Sequence, residues 1–309
     1  MSRSIRTRQV RNVRSMNMGL ARWDGADAIT ALNEIGGNWI PQIETIHRPD
    51  GSVIEGKQGI INPLANTHLG VTSDTYAGID NGLIAEGLTR MAEAVKKAYR
   101  ISNAYCTDGG KIVGLEAILG DGFDIVPKDT VFQTVQVFQG HGGNLPFTFL
   151  TEMKRLVCTN GLMMKVPGLS TCFRCKHTAN GAARVEWNFD LVSKAFAESA
   201  DDMQNAFRGL AAKRLSKEGA REFFRQYAKT VLKQEGAKLE QTVSDLGFVY
   251  SIPRNSDAGE NYWAAFNALT EWNQHYGFRS DEAMQLGNLT GAALTGKTNA
   301  FEFALAQAA

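Results

Sequence analysis

The sequence predicts an α+β fold in which one helix precedes an antiparallel β-meander and long helices follow it. Three observations support this prediction. Residues 73–100 place apolar side chains at intervals of three and four, which is the period of an amphipathic helix. Residues 103–158 alternate apolar and polar side chains, as strands do, with turn residues between the runs. From about residue 190 the helical period returns, so helices and strands occupy separate parts of the chain.

The first helix is predicted within SDTYAGIDNGLIAEGLTRMAEAVKKAYR, residues 73–100. One stripe of this helix is apolar and should be buried. The stripe consists of Leu83, Ile84, Leu88, Met91, Val95 and Tyr99. The preceding residues, 24–70, are rich in Gly, Asn and Pro, and no helix or strand is assigned there. Four apolar side chains are expected to anchor this segment to the body: Trp23, Trp39, Ile40 and Ile43.

The meander is predicted to begin with a hairpin that turns at residues 108–110, Asp-Gly-Gly. The strand over 130–139 places Val131, Val135 and Val137 on one face, and Phe132, Thr134 and Phe138 on the other. The segment 145–158 alternates in the same way, with Glu152 and Lys154 on its polar face. Residues 170–178 and 183–189 are shorter strand candidates. Such a series of neighbouring strands favours an antiparallel sheet.

Two long helices are predicted after the sheet. The first runs from about Asp190 to Leu215, and Ser216 is the expected N-cap of the second, which ends near Gly236. The buried stripe of the first helix comprises Leu191, Phe196, Met203, Phe207 and Leu210. A further amphipathic helix is predicted within residues 260–278. We therefore divide the chain into a basic N-terminal arm (1–23), an α+β core with long helices (24–240), and a C-terminal helical segment packed on the core (241–309).

Composition favours a cytoplasmic protein. The chain has no run of about 18 apolar residues, so no membrane span is expected. Its N-terminus is rich in arginine and lacks the apolar segment of a secretory signal. Four cysteines in 309 residues do not indicate a disulfide scaffold, and a reducing compartment suits them.

Positive charge is concentrated in two segments, although the net charge is only +1. Residues 1–23 carry six arginines and no acidic residue, and residues 208–238 carry nine Lys or Arg against three Glu. Within the second segment, cations recur at every fourth position and form a slowly wrapping band on a helix. This charge ladder consists of Lys213, Lys217, Arg221, Arg225, Lys229 and Lys233. It is typical of a surface that binds phosphates, but it also fits a solvated helix face partly neutralised by Glu218 and Glu222.

Further cations are expected to contact nucleic acid together with the residues of the charge ladder. Arg214 is adjacent to its first member, and Arg174 and Lys176 share one face of a predicted strand. In the arm, the predicted contacts are Arg3, Arg6, Arg8, Arg11 and Arg14. Phe223 and Tyr227 of the predicted helix could stack on bases if they are exposed.

A phosphate-binding loop is suggested by GAALTGKT, residues 291–298, which fits the pattern G-x-x-x-x-G-K-[ST]. The motif lacks its context, because no convincing strand precedes it. Too few residues follow it for the rest of a nucleotide-binding fold. No nucleotide cofactor is therefore expected.

The cysteines and histidines permit a metal site but do not establish one. Cys158, Cys172, Cys175 and His177 are suitable ligand types for tetrahedral zinc. On a strand, however, Cys172 points away from Cys175 and His177, and no second C-x-x-C pair is present. The alternative is that the cysteines are small buried residues of strands, and that Cys158 ends a strand that is closed by a turn at Asn160-Gly161. His141 in QGHGGN fits an incidental polar residue of a hairpin better than a catalytic one. No catalytic residue, metal or other cofactor is assigned.

Three groups of residues resemble one known family. THLGVTSDTYAGIDN (67–81), RLVCTNGL (155–162) with FRCKHT (173–178), and NYWAAFNALTEWNQHY (261–276) are similar, in this order, to motifs of the phage/plasmid-like protein family. That family is a domain of unknown function found in phage and plasmid genomes. It tends to carry a lysine where this chain has Lys297. The sequence departs from it at GHGGN (140–144), where His-Asp-Gly is expected.

The resemblance implies a genomic setting in which proteins commonly handle single-stranded DNA. The predicted order of helix, meander and helices is also similar to the core of single-strand annealing recombinases. We therefore expect a homo-oligomer that binds single-stranded DNA without ATP or metal, and strand annealing is an open extension of this hypothesis. Two alternatives stay open: a metal-assisted, nuclease-like enzyme that uses the Cys/His cluster, and a phage protein that binds and inhibits a host protein.

Overall fold

The structure is a computed structural model of the 309-residue chain. It describes residues 22–127, 129–143, 145–155, 161–162, 172–275 and 292–309. Their fold is α+β with antiparallel sheets, which confirms the predicted class. Helix α1 (Ala28–Glu34) comes first, followed by strands β1 (Gln42–His47), β2 (Val53–Asn62) and β3 (Thr67–Ser73). These three strands form a small sheet in the order β1-β2-β3.

The larger sheet follows helix α2 (Gly82–Ala94). Its long strands are β4 (Tyr99–Thr107), β5 (Ile112–Val126), β6 (Asp129–Gly140) and β7 (Phe147–Arg155), which pair in sequence order. Two short strands, β8 (Gly161–Leu162) and β9 (Cys172–Cys175), both pair with β7. A 3-10 turn over Asp108–Gly110 joins β4 to β5, and Gly109 has φ 68° there. The predicted helix, hairpin and meander are thereby confirmed.

The described residues from 181 onward are mainly helical. The helices are α3 (Gly181–Ala212), α4 (Lys217–Thr230), α5 (Gly236–Ser251), the single turn α6 (Pro253–Ser256), α7 (Tyr262–His275) and α8 (Ala292–Ala308). No helix among these described residues, or in the N-terminal half, has the length and apolar content needed to cross a lipid bilayer. The division at residues 23 and 240 stays a prediction.

The two faces of the large sheet differ in chemistry. One face is apolar and packs against the helices; Phe147 and Phe149 of β7 contact Phe189 of α3, with ring centroids 6.1 and 5.8 Å apart. Side chains on this face alternate with those of the opposite face, as the pleat requires. The opposite face carries Glu152 and Lys154, and both are buried. The predicted alternation along β6 and β7 is therefore correct, but the polar side is not a solvent face.

Three predictions for the helical region were wrong. Residues 183–189 are not a strand but part of the first turns of α3, because Val185 and Phe189, four residues apart, both reach the core. Leu191 was placed in the buried stripe, yet it is 58% exposed. The second helix ends at Thr230 instead of near residue 236. Lys233 and Gly236 have φ of 54° and 56°, a left-handed conformation that does not continue a helix.

The segment before α2 is more regular than its composition suggests. Residues 24–70 contain α1 and most of the small sheet, neither of which was predicted. Trp23 and Trp39 are buried anchors, as expected. Ile40 and Ile43 are exposed, and their predicted anchoring is wrong; Ile43 lies on β1, which is an edge strand of the small sheet.

Candidate functional site

Helix α4 presents a basic face to solvent. Ser216 caps it by accepting a hydrogen bond from the Gly219 backbone N–H at 3.1 Å, which confirms the predicted start. The aromatic residues of the helix are buried against α5, α7 and α8, and the ring centroids of Phe223 and Phe303 are 5.0 Å apart. Phe223 and Tyr227 are therefore not available for stacking on bases, so that part of the hypothesis is wrong.

The six ladder residues differ in their surroundings. Lys217, Arg221 and Lys229 are exposed and form no ion pair with a carboxylate of the described residues. Arg225, by contrast, forms a bidentate ion pair with Glu240 and lies 3.7 Å from Glu222. The remaining two lie outside the helix. The Lys213 ammonium donates to the backbone carbonyls of Ala308 and Ala309, and Lys233 is exposed beyond the helix end.

The other predicted contacts lie on different elements. Arg214 is exposed next to Lys213, and its backbone bridges to Asn261. Arg174 on β9 and Lys176 just after it are also exposed. The five predicted contacts in the arm, Arg3 to Arg14, lie outside the described residues. The structure thus brings Lys217, Arg221, Arg225 and Lys229 together on one helix.

The candidate zinc ligands do not gather. Cys175 is buried, with its sulfur 3.5 Å from the carbonyl of Gly181, whereas Cys172 is partly exposed. His177 makes a hydrogen bond to Gln139 instead of facing the cysteines. Cys158 lies outside the described residues. Within the part of the chain that is described, no three His, Cys, Asp or Glu side chains are arranged to hold a metal ion.

A buried cluster, which we call the histidine centre, joins three connecting segments. It comprises Tyr76, Asn81, Gln139, His141 and His177. His141 follows β6 and is fully buried; its Nδ1 lies 3.2 Å from the hydroxyl of Tyr76, and its Nε2 lies 2.9 Å from Oδ1 of Asn81. The Gln139 amide donates to the same Asn81 oxygen at 2.6 Å, and its own oxygen lies 3.0 Å from Nε2 of His177. The interpretation of His141 as an incidental hairpin residue is therefore wrong.

Burial keeps both histidines neutral. Burial, together with the neighbouring His177, lowers the pKa of His141 to about 3. Burial likewise lowers the pKa of His177 to about 4. With neutral rings, Nε2–H of His141 donates to Asn81 while Nδ1 accepts from Tyr76. Asn81 and His177 both lie in the segments that carry the family resemblance, and this was the sequence signal available for the centre.

A second buried centre lies on the polar face of the large sheet. The Lys154 ammonium of β7 sits between two carboxylates, 2.7 Å from Oε2 of Glu116 on β5 and 3.4 Å from Oε2 of Glu152. The Gln136 amide on β6 donates to Glu152 at 3.0 Å, and the Ser102 hydroxyl donates to Glu116 at 2.9 Å. We call these residues, together with Lys297 described next, the Glu–Lys centre.

Lys297 approaches this centre from helix α8. It is 1% exposed, and burial lowers its pKa to about 8, with Glu152 and Glu116 opposing the change and Lys154 reinforcing it. Residues 292–298 of the P-loop motif are helical, and Lys297 is held inside the protein. Gly291 lies outside the described residues. A helix in place of a loop cannot wrap phosphates with its backbone N–H groups, which supports the expectation that the motif is not a phosphate loop.

A third buried network is structural. Arg155 forms an ion pair with Asp129, and its Nη1 donates to Oδ1 of Asn255 at 3.0 Å. The indole N–H of Trp263 donates to the other Asp129 oxygen at 2.7 Å, and Asn255 donates to Glu271 at 2.9 Å. The network fastens the end of β7 to helices α6 and α7. Its polar atoms have protein partners, as buried charges require.

An open cleft of about 540 Å³ lies between α1 and α2. Its charged lining includes Glu86 and Arg90, which form an ion pair at 2.7 Å. None of the residues of the Glu–Lys or histidine centres lines it. The cleft therefore adds no chemistry to either centre.

Comparison with known proteins identifies a family but no activity. No curated protein and no solved structure matches the chain. A family model described as a domain of unknown function, DUF932, matches residues 68–293. This range contains the long strands β4 to β7, helix α4, His141, and the carboxylates and Lys154 of the Glu–Lys centre. The chain therefore belongs to the DUF932 family.

Proposed function

We propose that the protein binds single-stranded DNA through the exposed face of α4 together with its arginine-rich N-terminal arm. One observation carries the proposal: α4 buries its aromatic side and directs Lys217, Arg221 and Lys229 to solvent, where no carboxylate of the described residues pairs with them. Unpaired surface cations are the groups that exchange counterions with a phosphate backbone.

The spacing of these cations suits a flexible strand. Four-residue steps on a helix advance about 6 Å along its axis, so Lys217, Arg221 and Arg225 follow one another at short intervals. A single strand can adjust its backbone to bring a phosphate to each of them, whereas a stacking contribution from α4 is excluded by the burial of its aromatic residues. Binding should therefore be mainly electrostatic and indifferent to sequence.

The proposed setting is the replication or recombination machinery of a phage or plasmid, in the host cytoplasm. The resemblance of the sequence to the phage/plasmid-like family supports this setting. The order α2, four-stranded meander, α3 supports strand annealing by a homo-oligomer as an extension. In such an assembly the α4 faces of neighbouring copies would extend one track for the strand.

Binding of a labelled oligonucleotide across a salt series tests the proposal. We expect the affinity to fall linearly with the logarithm of the salt concentration. A variant with Lys217, Arg221 and Lys229 changed to Gln should lose roughly tenfold in affinity at low salt, and its slope should shrink by about 2, because each lost phosphate contact removes about 0.7.

The matched control changes three exposed lysines outside α4, Lys57, Lys96 and Lys111, to Gln. It removes the same charge and should bind like the unmodified chain. Absence of binding by the unmodified chain at low salt, or equal losses in both triple variants, would refute the proposal. A mass measurement of the particle with and without DNA tests the homo-oligomer separately.

A further inference from the structure

We propose that the cleft between α1 and α2 binds residues 1–21 of the same chain, the arginine-rich part of the N-terminal arm that precedes the described residues. The docking is independent of the proposed binding of DNA, and only its effect on DNA affinity rests on that proposal. It assigns an occupant to a cleft that neither buried centre uses.

The cleft has the size and the lining for a peptide segment. Its volume of about 540 Å³ lies within the range of about 300–1,000 Å³ that is usual for ligand pockets. Its lining includes the apolar side chains of Ala28, Ile29 and Ala85, and Ile29 is 41% exposed. The hydroxyl of Tyr99 accepts a hydrogen bond from the Ala28 backbone N–H at 2.9 Å and ties α1 to the start of β4. Apolar surface is therefore open to solvent between fixed walls.

The charge of the cleft is negative. Three carboxylates and one arginine line it, which gives the lining a net charge of −2. The guanidinium of Arg90 is already paired, 2.7 Å from Glu86 and 3.8 Å from Asp190. Asp27 and Glu93, one beside each helix, are exposed and form no ion pair with a cation of the described residues. Such a surface repels a phosphate backbone and favours a cationic partner.

Residues 1–21 have the complementary composition. They contain five arginines and no carboxylate. In RQVRNVRS (8–15), an arginine recurs at every third position, and Val10 and Val13 lie between these arginines. The valines suit the apolar lining. The arginines suit the carboxylates, because a guanidinium donates two parallel hydrogen bonds to a carboxylate.

The attachment of the arm favours the cleft of its own chain over that of another copy. The described residues begin at Arg22, five residues before Asp27, and five residues span at most about 18 Å. Residues 8–21 in extended form would span up to about 50 Å, which is ample to reach the whole cleft. A segment tethered so near its site has an effective concentration of the order of millimolar, above that of a separate copy in dilute solution.

Carbodiimide cross-linking of the full-length chain tests the contact directly. Residues 1–21 contain no lysine, so Arg11→Lys introduces an amine side chain and keeps the charge. A carbodiimide activates a carboxylate, and a nearby amine displaces the activating group to form an amide. We expect mass spectrometry to locate this amide at Asp27, Glu93 or both.

The same experiment distinguishes the possible occupants when ¹⁵N-labelled and unlabelled chains are mixed. Docking within one chain gives cross-linked peptides of uniform isotope composition. Pairs of mixed composition would show that the arm of another copy occupies the cleft. Amides at carboxylates away from the cleft would show that the arm has no such site. Either result overturns the proposal.

Two double variants remove charge inside and outside the cleft. Asp27→Asn combined with Glu93→Gln, the cleft variant, removes both unpaired carboxylates, and Asn is as good an N-cap for α1 as Asp. The matched control, Glu55→Gln combined with Asp74→Asn, removes the same charge at exposed positions in and next to the small sheet. Both should keep a Tm close to that of the unmodified chain, since exposed substitutions change stability little.

The docked state competes with DNA for the arm, and this consequence rests on the proposed function. Arginines held in the cleft are not available to phosphates. The cleft variant should therefore bind a labelled oligonucleotide roughly fivefold more tightly than the matched control, because apparent affinity scales with the fraction of chains that are competent to bind.

Limited digestion of the full-length chains with trypsin measures the release of the arm without nucleic acid. Trypsin cuts after arginine, and a bound segment is cut only in the fraction of time for which it is released. Cutting after Arg8, Arg11 and Arg14 should be roughly fivefold faster in the cleft variant, whereas the matched control should be cut like the unmodified chain. Equal rates in all three chains would overturn the proposal. A failure of the DNA proposal would leave these rates and the cross-links unchanged.

Discussion

The lysines of helix α4 and those of the Glu–Lys centre are the same chemical group in opposite surroundings. Lys217 and Lys229 stand in solvent, where their charges are hydrated and screened. Lys154 and Lys297 are enclosed, and Lys154 is held by two carboxylates across three strands. The comparison teaches that charge on α4 is available to a partner at little structural cost, whereas charge on the sheet face is part of the folded architecture.

The largest expected effect comes from removing a buried cation. Lys154→Met leaves two carboxylates without their ammonium, and breaking a buried ion pair in this way typically costs about 3–5 kcal/mol. The free energy of unfolding, from urea denaturation, measures the loss. The control Lys217→Met should change it by less than about 0.5 kcal/mol. Similar losses in both variants would contradict the distinction between the two regions.

The next largest effect should distinguish substitutions on the buried side of α4 from those on its exposed side. Phe224 is fully buried and its ring lies 5.8 Å from that of Tyr250, so Phe224→Ala should cost about 3 kcal/mol. Arg221→Ala, on the exposed side of the same helix, should leave the thermal midpoint nearly unchanged but weaken oligonucleotide binding. If Arg221→Ala destabilised the protein as much as Phe224→Ala does, the exposed face of α4 would have a structural role instead.

A pH effect is expected from the histidine centre. The pKa values of His141 and His177 are about 3 and 4 in the folded protein, below the unperturbed 6.5, so the unfolded chain takes up protons first as the pH falls. Their contribution to stability is complete above pH 6.5. Between pH 6.5 and 4 it should decline by about 1.4 kcal/mol per pH unit for each histidine.

The contacts of these two rings are the neutral side chains of Trp39, Tyr76, Asn81 and Gln139. His177→Gln keeps an N–H donor for Gln139 and cannot titrate. The difference in unfolding free energy between this variant and the unmodified chain should therefore shrink as the pH falls from 6.5 to 4. A difference that does not depend on pH would show that His177 is not the titrating group.

The smallest expected effect concerns the one ladder residue of α4 that is already paired. Glu240→Gln releases Arg225 from its ion pair and should increase oligonucleotide affinity by a factor of roughly two, the size of a screened surface interaction. Fluorescence anisotropy at low salt measures it. Glu218→Gln, which removes a carboxylate with no ion pair among the described residues, serves as the comparison. Weaker binding by Glu240→Gln would contradict a direct role of Arg225.

Much of the fold follows from local patterns. The alternation of Val131, Val135 and Val137 with Phe132 and Phe138 predicted β6 because strands place successive side chains on opposite faces. The N-cap at Ser216 and the apolar spacing of α4 predicted that helix. The small sheet was missed because the glycine-rich composition hides the short alternation of its strands. Residues 183–189 were predicted as a strand because Val185 and Phe189, four residues apart, fit both the two-residue period of a strand and the 3.6-residue period of a helix.

The candidate sites were less accessible to prediction. The alternation around Glu152 and Lys154 identified a polar side of β7 but did not show that this side is covered. His141 looked incidental because its partners, Asn81 and Tyr76, are about 60 residues away. The presence of phenylalanine on the same face as Glu152 was the one available sign that this face is buried.

The sequence by itself determined the periods of the strands and helices, the concentration of positive charge and the amphipathic character of α4, because each depends on neighbours a few residues apart. Only the tertiary structure decided that Lys154 and Lys297 are enclosed while Lys217 and Lys229 are not. Burial depends on which distant segments pack together, and a side chain's own neighbours in the chain do not specify it.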